Sequence, residues 1–217
     1  MPISIDHFMY AGPDLDDLCT QFTHLTGIEP VPGGSHPTLG TRNRLAGGNT
    51  PTYLELIGPD PALTVRSDMR SGIEALARPQ LHRIIMRCTA DDFPALTEAY
   101  RAFGIEAPVH ELQRVTPEGD TLRWKLMIPE PNAFGLYAPF FIDWLDTPHP
   151  SQRLPEQFGL VDCEAGHPVH AQLAPLWERL GMPVCLRAAD APYMRVVLRT
   201  PRGEVALTSG THPLRHS

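Results

Sequence analysis

The chain has 217 residues, 42% of them hydrophobic and 20% charged, with a formal net charge of −7 and a pI near 5.8. That length supports a sizeable core in one large domain or two small ones. The acidic balance argues against a dedicated nucleic-acid or anionic-membrane surface, either of which needs a basic patch. No apolar run approaches the roughly 20 residues that span a bilayer. Four scattered cysteines without a C-x-x-C spacing predict free thiols in a cytoplasmic protein.

The first element in the chain is the strand "SIDHFMYA". It leads into "DLDDLCTQFTHLTG", where Leu15, Leu18, Phe22 and Leu25 fall on one helical stripe between an Asp N-cap and a terminal Gly. Three strands follow: a stretch near Val31, "TRNRLAG" and "TYLELIG". In the passage between the first two, Gly33 and Gly34 are expected to turn the chain, with Gly40 returning it to the sheet. A Pro-rich polar connector then spans residues 61–79.

The pattern repeats. "LHRIIMRC" precedes the helix "DDFPALTEAYRAFG", then come "APVHEL", "TLRWKLMI" and "APFFIDWL". After a second connector at 147–157, "FGLVDCEA" precedes the helix "HPVHAQLAPLWERLG", then "PVCLRAA", "MRVVLRT" and "GEVALTS". The helix-terminating glycines, Gly27, Gly104 and Gly181, lie a constant 77 residues apart. The flanks also match, so the unit is a βαβββ module seen three times. The modules are placed at 1–60, 80–146 and 155–210, within a single compact domain of α+β class.

Modules that open on "DH" and close on "YLELIGPDP" resemble the vicinal oxygen chelate superfamily. "PGGSHPTLGTRNRL", "LRWKLMIP" and "PFFIDWLDTPHP" narrow the resemblance to its glyoxalase-like domain subgroup. The likeness implies a curved, cup-like mixed sheet with helices outside, the cup formed by the first two modules. It also implies a divalent metal (Zn, Mn, Ni or Fe) held by His and Glu on the first and last strands of each module. The matching residues are His7 and Glu55. Asp143, in "FFIDW", is the expected carboxylate counterpart of Glu55, and His82 is a further candidate. The 77-residue period sets Ile84, a non-ligand, against His7. The competing structural reading is that Asp6 and His7 form only a hydrogen-bonded pair, and that Asp143 accepts from a neighbouring backbone or from Arg123.

Glu55 interrupts an apolar strand, and an unpaired carboxylate there is expensive to bury. Glu55 therefore needs a cation, a hydrogen-bond cluster or water. The resemblance implies Glu55 as metal ligand or base and His7 as ligand, which makes them the candidate catalytic residues. Strand alternation adds Thr41, Asn43, Tyr53, Arg123 and Trp124 as candidate binding residues. His36, in a loop before a proline, is placed at the rim of the cup, as a lid residue or simply exposed. His149 is either a lid residue or simply exposed. Two functions follow. One is a metal-dependent isomerase or lyase on a small oxygenated substrate. The other is a non-catalytic binding protein relying on Trp124, Trp144, Tyr53 and Asn43. An odd third module predicts a homodimer, unless that module covers the other side of the sheet within one chain. Phosphate-loop, dinucleotide and nucleophile-elbow motifs are absent.

Overall fold

The computed structural model describes residues 2–49, 51–116 and 119–210. The first module is β1 (Ser4–Ala11), α1 (Leu15–Thr26), β2 (Val31–His36), β3 (Thr41–Gly48) and β4 (Tyr53–Pro59). A short helix, α2 (Asp68–Glu74), lies in the connector. The second module is β5 (Gln80–Arg87), α3 (Phe93–Arg101), β6 (Val109–Val115), β7 (Thr121–Met127) and β8 (Phe140–Asp143). The third is β9 (Glu156–His167), α4 (His170–Arg179), β10 (Cys185–Ala188), β11 (Tyr193–Thr200) and β12 (Gly203–Thr208). The β-α-β-β-β order thus recurs three times.

Local chemistry accounts for the ends of the elements. Asp14 caps α1 by accepting from the N–H groups of Asp16 and Asp17, and Gly27 closes it at φ 74°. The second helix starts later than its Asp91 suggests. Residues 90–92 form a 3-10 turn, with Thr89 and Asp92 closing a capping box. Gly33 and Gly34 lie inside β2 rather than in a turn. The turn falls after them, where Leu39 and Gly40 donate to the His36 carbonyl. The 61–79 connector is not structureless: Ser67 caps α2, and buried Arg70 ties its start to the carbonyls of Asp60, Leu63 and Val65.

Twelve strands form one sheet in the order β12-β11-β9-β3-β4-β1-β5-β8-β7-β6, with β2 paired to β3 and β10 to β9. In the first module β1 runs parallel to β4, and in the second β5 runs parallel to β8. The two modules meet along the antiparallel β1–β5 pair. The cup closes where Arg114 of β6 donates to the Gly33 carbonyl of β2. Pairing in the third module differs. There β9 sits between β10 and β11 instead of beside the last strand.

Strand alternation sorts the apolar residues onto two faces. Phe8, Leu54, Leu56, Met86 and Phe141 point outward to a core shared with Leu18, Phe22, Tyr100, Leu173, Trp177 and Val196. All three modules therefore contribute to one core, and the third packs against the helix side of the first two. Each of these buried side chains contributes about 1.5–3 kcal/mol. Leu45, Tyr53, Ile85, Trp124, Leu126, Phe140, Ile142 and Trp144 form a second cluster on the concave face. The four cysteines are free. Among the described residues, no helix is long and apolar enough to cross a membrane.

The β1–β5 pairing slips twice, skipping Asp6 on β1 and His82 on β5. These bulges shift the phase of each strand relative to a regular alternation. His82 is 9% exposed, and its Nδ1 has no partner among the described residues. Burial, with Arg83 adjacent, pushes its pKa down from 6.5 to about 4. Folded His82 thus stays neutral between those values while the unfolded chain binds a proton. Stability is lost as pH falls through that window, by about 3 kcal/mol in all. His82→Gln should flatten the dependence of unfolding free energy on pH between 6.5 and 4 by that amount, as read from urea melts. An unchanged slope would contradict the assignment.

Candidate functional site

The concave face forms an open-mouthed cavity, with about 590 Å³ of space between its walls when the solvent at its mouth is counted. Its walls differ in chemistry. The first module supplies His7, His36, Asn43, Tyr53 and Glu55; the second supplies Ile85, Leu112, Arg114, Trp124, Leu126, Phe140 and Ile142. Met69 of α2 adds an apolar edge. Apart from Arg114 the polar groups come from the first module, which also adds Met9, Leu39 and Ile57, and the second module's surface is otherwise apolar.

Behind the polar wall lies Asp6, which is wholly buried. Its carboxylate accepts from His7 Nδ1 at 2.7 Å, Arg87 Nε at 2.9 Å, His149 Nε2 at 3.1 Å and Trp144 Nε1 at 3.2 Å. Burial alone would raise its pKa. The hydrogen bonds from His149 and His7, with their charges, outweigh that and hold the carboxyl well below the usual carboxylate range. An ionised carboxylate only accepts, so His7 Nδ1 carries a hydrogen, and in the neutral ring Nε2 presents a lone pair to the cup. Tyr53 stacks on the ring at 4.6 Å and fixes its plane.

Glu55 is 6% exposed. Asn43 Nδ2 donates to its Oε1 at 2.6 Å, leaving Oε2 facing His7 Nε2 across 3.7 Å. That separation is too long for a hydrogen bond. The other Asn43 N–H points to His36 Nε2 at 3.4 Å, and His36 Nδ1 meets Thr41 Oγ at 3.0 Å. Burial pushes the His36 pKa down against the attraction of Glu55, so this ring is neutral. Asn43 is held close because Gly33 has no side chain: a Cβ there would lie 2.1 Å from Asn43 Oδ1. This steric need, rather than a turn, explains the glycine.

The structure therefore brings His7, Glu55, Asn43, His36, Tyr53 and Trp124 to the cup, with Thr41 supporting His36 from behind. It does not bring Arg123, His82 or Asp143 there. Arg123 is exposed, and its backbone N–H donates to Thr147 Oγ. His82 lies in the β5 bulge. Asp143 caps the Leu145 N–H at 3.0 Å and does not line the cavity. The strand register shows why. His7 and Tyr53 are paired on β1 and β4, as Ile85 and Phe140 are on β5 and β8. Two residues beyond Tyr53 is Glu55; two beyond Phe140 is Ile142. The counterparts of His7 and Glu55 are thus Ile85 and Ile142, while Ile84 faces the outer core.

This decides how well a metal fits. The expected ligand set is halved, because the second module offers two isoleucines where the first offers His and Glu. Among the described residues, no group of three or more His, Cys, Asp or Glu could hold an ion. His7 and Glu55 alone do not compose a coordination shell. The residues absent from the expected set are Asp6, His149 and Arg114. The hydrogen bond of Asp6 to His7 is the competing reading of the sequence and is present; its bonds to Arg87, Trp144 and His149 join distant segments and have no local signature. Arg114 had a signal, since it alternates with Leu112 in "VHELQRV".

The chain matches the family described as a glyoxalase-like domain over residues 5–181. No curated protein sequence matches it. Among solved structures, a hypothetical protein from Staphylococcus aureus superposes with a TM-score of 0.65 at 16% identity, covering 95% of this chain and 85% of that one. Methylmalonyl-CoA epimerase from Mycobacterium tuberculosis gives 0.41 at 17% identity, over 64% of this chain and 84% of the other. A methylmalonyl-CoA epimerase in complex with methylmalonyl-CoA and NH4+ gives 0.48 at 18% identity, over 69% of this chain and all of the other. With its βαβββ modules, its cup and the family match over most of its length, the chain belongs to the glyoxalase-like domain family of the vicinal oxygen chelate superfamily.

Proposed function

We propose that the protein is an isomerase or lyase that moves protons within a small oxygenated substrate, using Glu55 and His7 as its two bases. The observation that carries this reading is their arrangement. Two acceptor atoms face each other across 3.7 Å at the wall of a cavity, and each is held from behind by a different partner. Such a pair is suited to a donor placed between its members.

On a hydroxy carbonyl substrate, Glu55 Oε2 removes the proton of the carbinol carbon. His7 Nε2 accepts the hydroxyl proton and returns it to the neighbouring oxygen, and Glu55 delivers its proton to the former carbonyl carbon. The atoms balance, and the product is the isomeric hydroxy carbonyl compound. Asn43 keeps the Glu55 carboxylate in plane, and Asp6 keeps the basic nitrogen of His7 toward the cup. General base catalysis of this kind contributes about 10²–10⁴-fold. A second reading, ligand sequestration without turnover, is favoured by the packing of Trp124 on Trp144 at 5.4 Å in the apolar wall.

The test is hydrogen exchange in D2O. Small hydroxy carbonyl compounds are incubated with the protein, and loss of the carbon-bound proton signal is followed by NMR. Glu55→Gln should slow exchange at least 100-fold and His7→Gln at least 10-fold, with both variants folded. Quenching of tryptophan fluorescence without exchange of any compound would favour sequestration instead.

The halved ligand set gives a second expectation. Added Zn, Mn, Ni or Fe should neither raise the thermal midpoint nor bind stoichiometrically by calorimetry. The double variant Ile85→His with Ile142→Glu should take up one ion per chain. Stoichiometric binding by the unaltered protein would contradict the register assignment.

A further inference from the structure

We propose that the hydroxyl of Tyr53 receives the carbonyl oxygen of the substrate and stabilises the charge that gathers there during proton removal. The inference rests on the proton-transfer reading above, and it adds the group that serves the oxygen. When Glu55 takes the proton from carbon, the electron pair left behind moves toward the carbonyl oxygen. That oxygen stays charged until His7 returns a proton to it. A donor already in place lowers the cost of this stage.

Most donors around the cup are already committed. His7 Nδ1 bonds Asp6, the Asn43 amide serves Glu55 and His36, Arg114 bonds the Gly33 carbonyl, and Trp144 Nε1 bonds Asp6. Two donors of the lining residues have no hydrogen-bond partner among the described residues: the Tyr53 hydroxyl and the Trp124 indole N–H. Trp124 belongs to the second module's wall, where it packs on Trp144. Tyr53 belongs to the wall of the bases. It pairs with His7 across β1 and β4, and it shares its face of β4 with Glu55, two residues on.

The ring is held in place before any ligand arrives. It lies within 16° of the His7 plane at 4.6 Å and meets the His149 ring at 5.6 Å in a T-shaped contact. Tyr53 is only 4% exposed, yet its hydroxyl is not among the polar atoms sealed away without a partner. That hydroxyl therefore opens to the cavity that Tyr53 lines. A phenol is longer than an imidazole, so it reaches further from the sheet than the nitrogens of His7. An oxygen bound there sits beside His7 Nε2, the atom that returns its proton. The phenol keeps its own hydrogen throughout: it donates one hydrogen bond, and no bond to Tyr53 forms or breaks. In a site shielded from water such a donor acts more strongly on a developing charge than it would at the surface.

Tyr53→Phe tests this, because it removes the hydroxyl and keeps the ring that stacks on His7. The probes are 2-hydroxyacetophenone, dihydroxyacetone and acetoin, each labelled with carbon-13 at the carbonyl. Difference infrared spectroscopy reads the carbonyl stretch of the bound compound, and NMR follows its hydrogen exchange in D2O. In the wild type at least one bound stretch should fall below its frequency in an aprotic solvent, and Tyr53→Phe should undo that fall. Exchange at saturation should slow about 100-fold, while affinity changes by less than about ten-fold. Circular dichroism verifies that the variant folds. Replacing Tyr53 by 3-fluorotyrosine retains the hydroxyl as a stronger acid and should lower the stretch further, which keeps the test open where the Phe variant does not fold. Binding of none of the probes, a wild-type stretch that is not lowered, or an unchanged stretch and exchange rate in folded Tyr53→Phe would each overturn the proposal. A stretch lowered through Tyr53 without hydrogen exchange of any probe would sustain the hydroxyl contact while removing the proton-transfer reading.

Discussion

The architecture of the cup turns on one buried charge. Asp6 carries its carboxylate with no solvent exposure and gathers donors from four places: its neighbour His7, Arg87 of β5, Trp144 after β8, and His149 in the connector that leads to the third module. An unpaired carboxylate in that position would be prohibitively unstable. With its donors in place, it ties the first module to the second and to the chain that follows, because those segments must converge for the charge to be satisfied. The bulge that skips Asp6 in the β1–β5 pairing is what turns it toward these partners while its neighbour His7 faces the cup.

Duplication of the fold has not duplicated its chemistry. The parallel pairings β1–β4 and β5–β8 place equivalent residues at equivalent depths, yet one half presents His7 and Glu55 and the other Ile85 and Ile142. The result is a pocket with a polar wall and an apolar wall. A ligand in it is oriented by that difference alone before any specific contact is counted. The third module shares the element order of the others but pairs its strands differently, and it covers the helix side rather than adding a second cup.

Much of this was legible in the sequence. The constant spacing of Gly27, Gly104 and Gly181 reports helix ends, which are set by local backbone chemistry and so survive in the residue pattern. The family resemblance pointed to His7 and Glu55, and the two-residue alternation supported them and added Asn43, Tyr53 and Trp124, because regular strands obey it. Asp6 was legible only as the partner of His7, because its bonds to Arg87, Trp144 and His149 join distant segments. The glycine period sets Ile84 rather than Ile85 against His7 because the one-residue difference between the modules falls between the strand and the helix end, outside the bulges. The inward carboxylate sought in the second module does not exist: Asp143 is occupied as a turn cap. Gly33 looks like a turn residue because the close approach of Asn43 is a three-dimensional contact with no local signature.

The account stands on the orientation of His7, with Nδ1 protonated by its bond to Asp6 and Nε2 turned to Glu55. Nitrogen-15 NMR of the imidazole nitrogens, assigned by comparison with His7→Gln at a pH where the ring is neutral, reads this directly. The account predicts the Nδ1–H tautomer for His7, and its loss of preference in Asp6→Asn. An Nε2–H tautomer in the unaltered protein would contradict it.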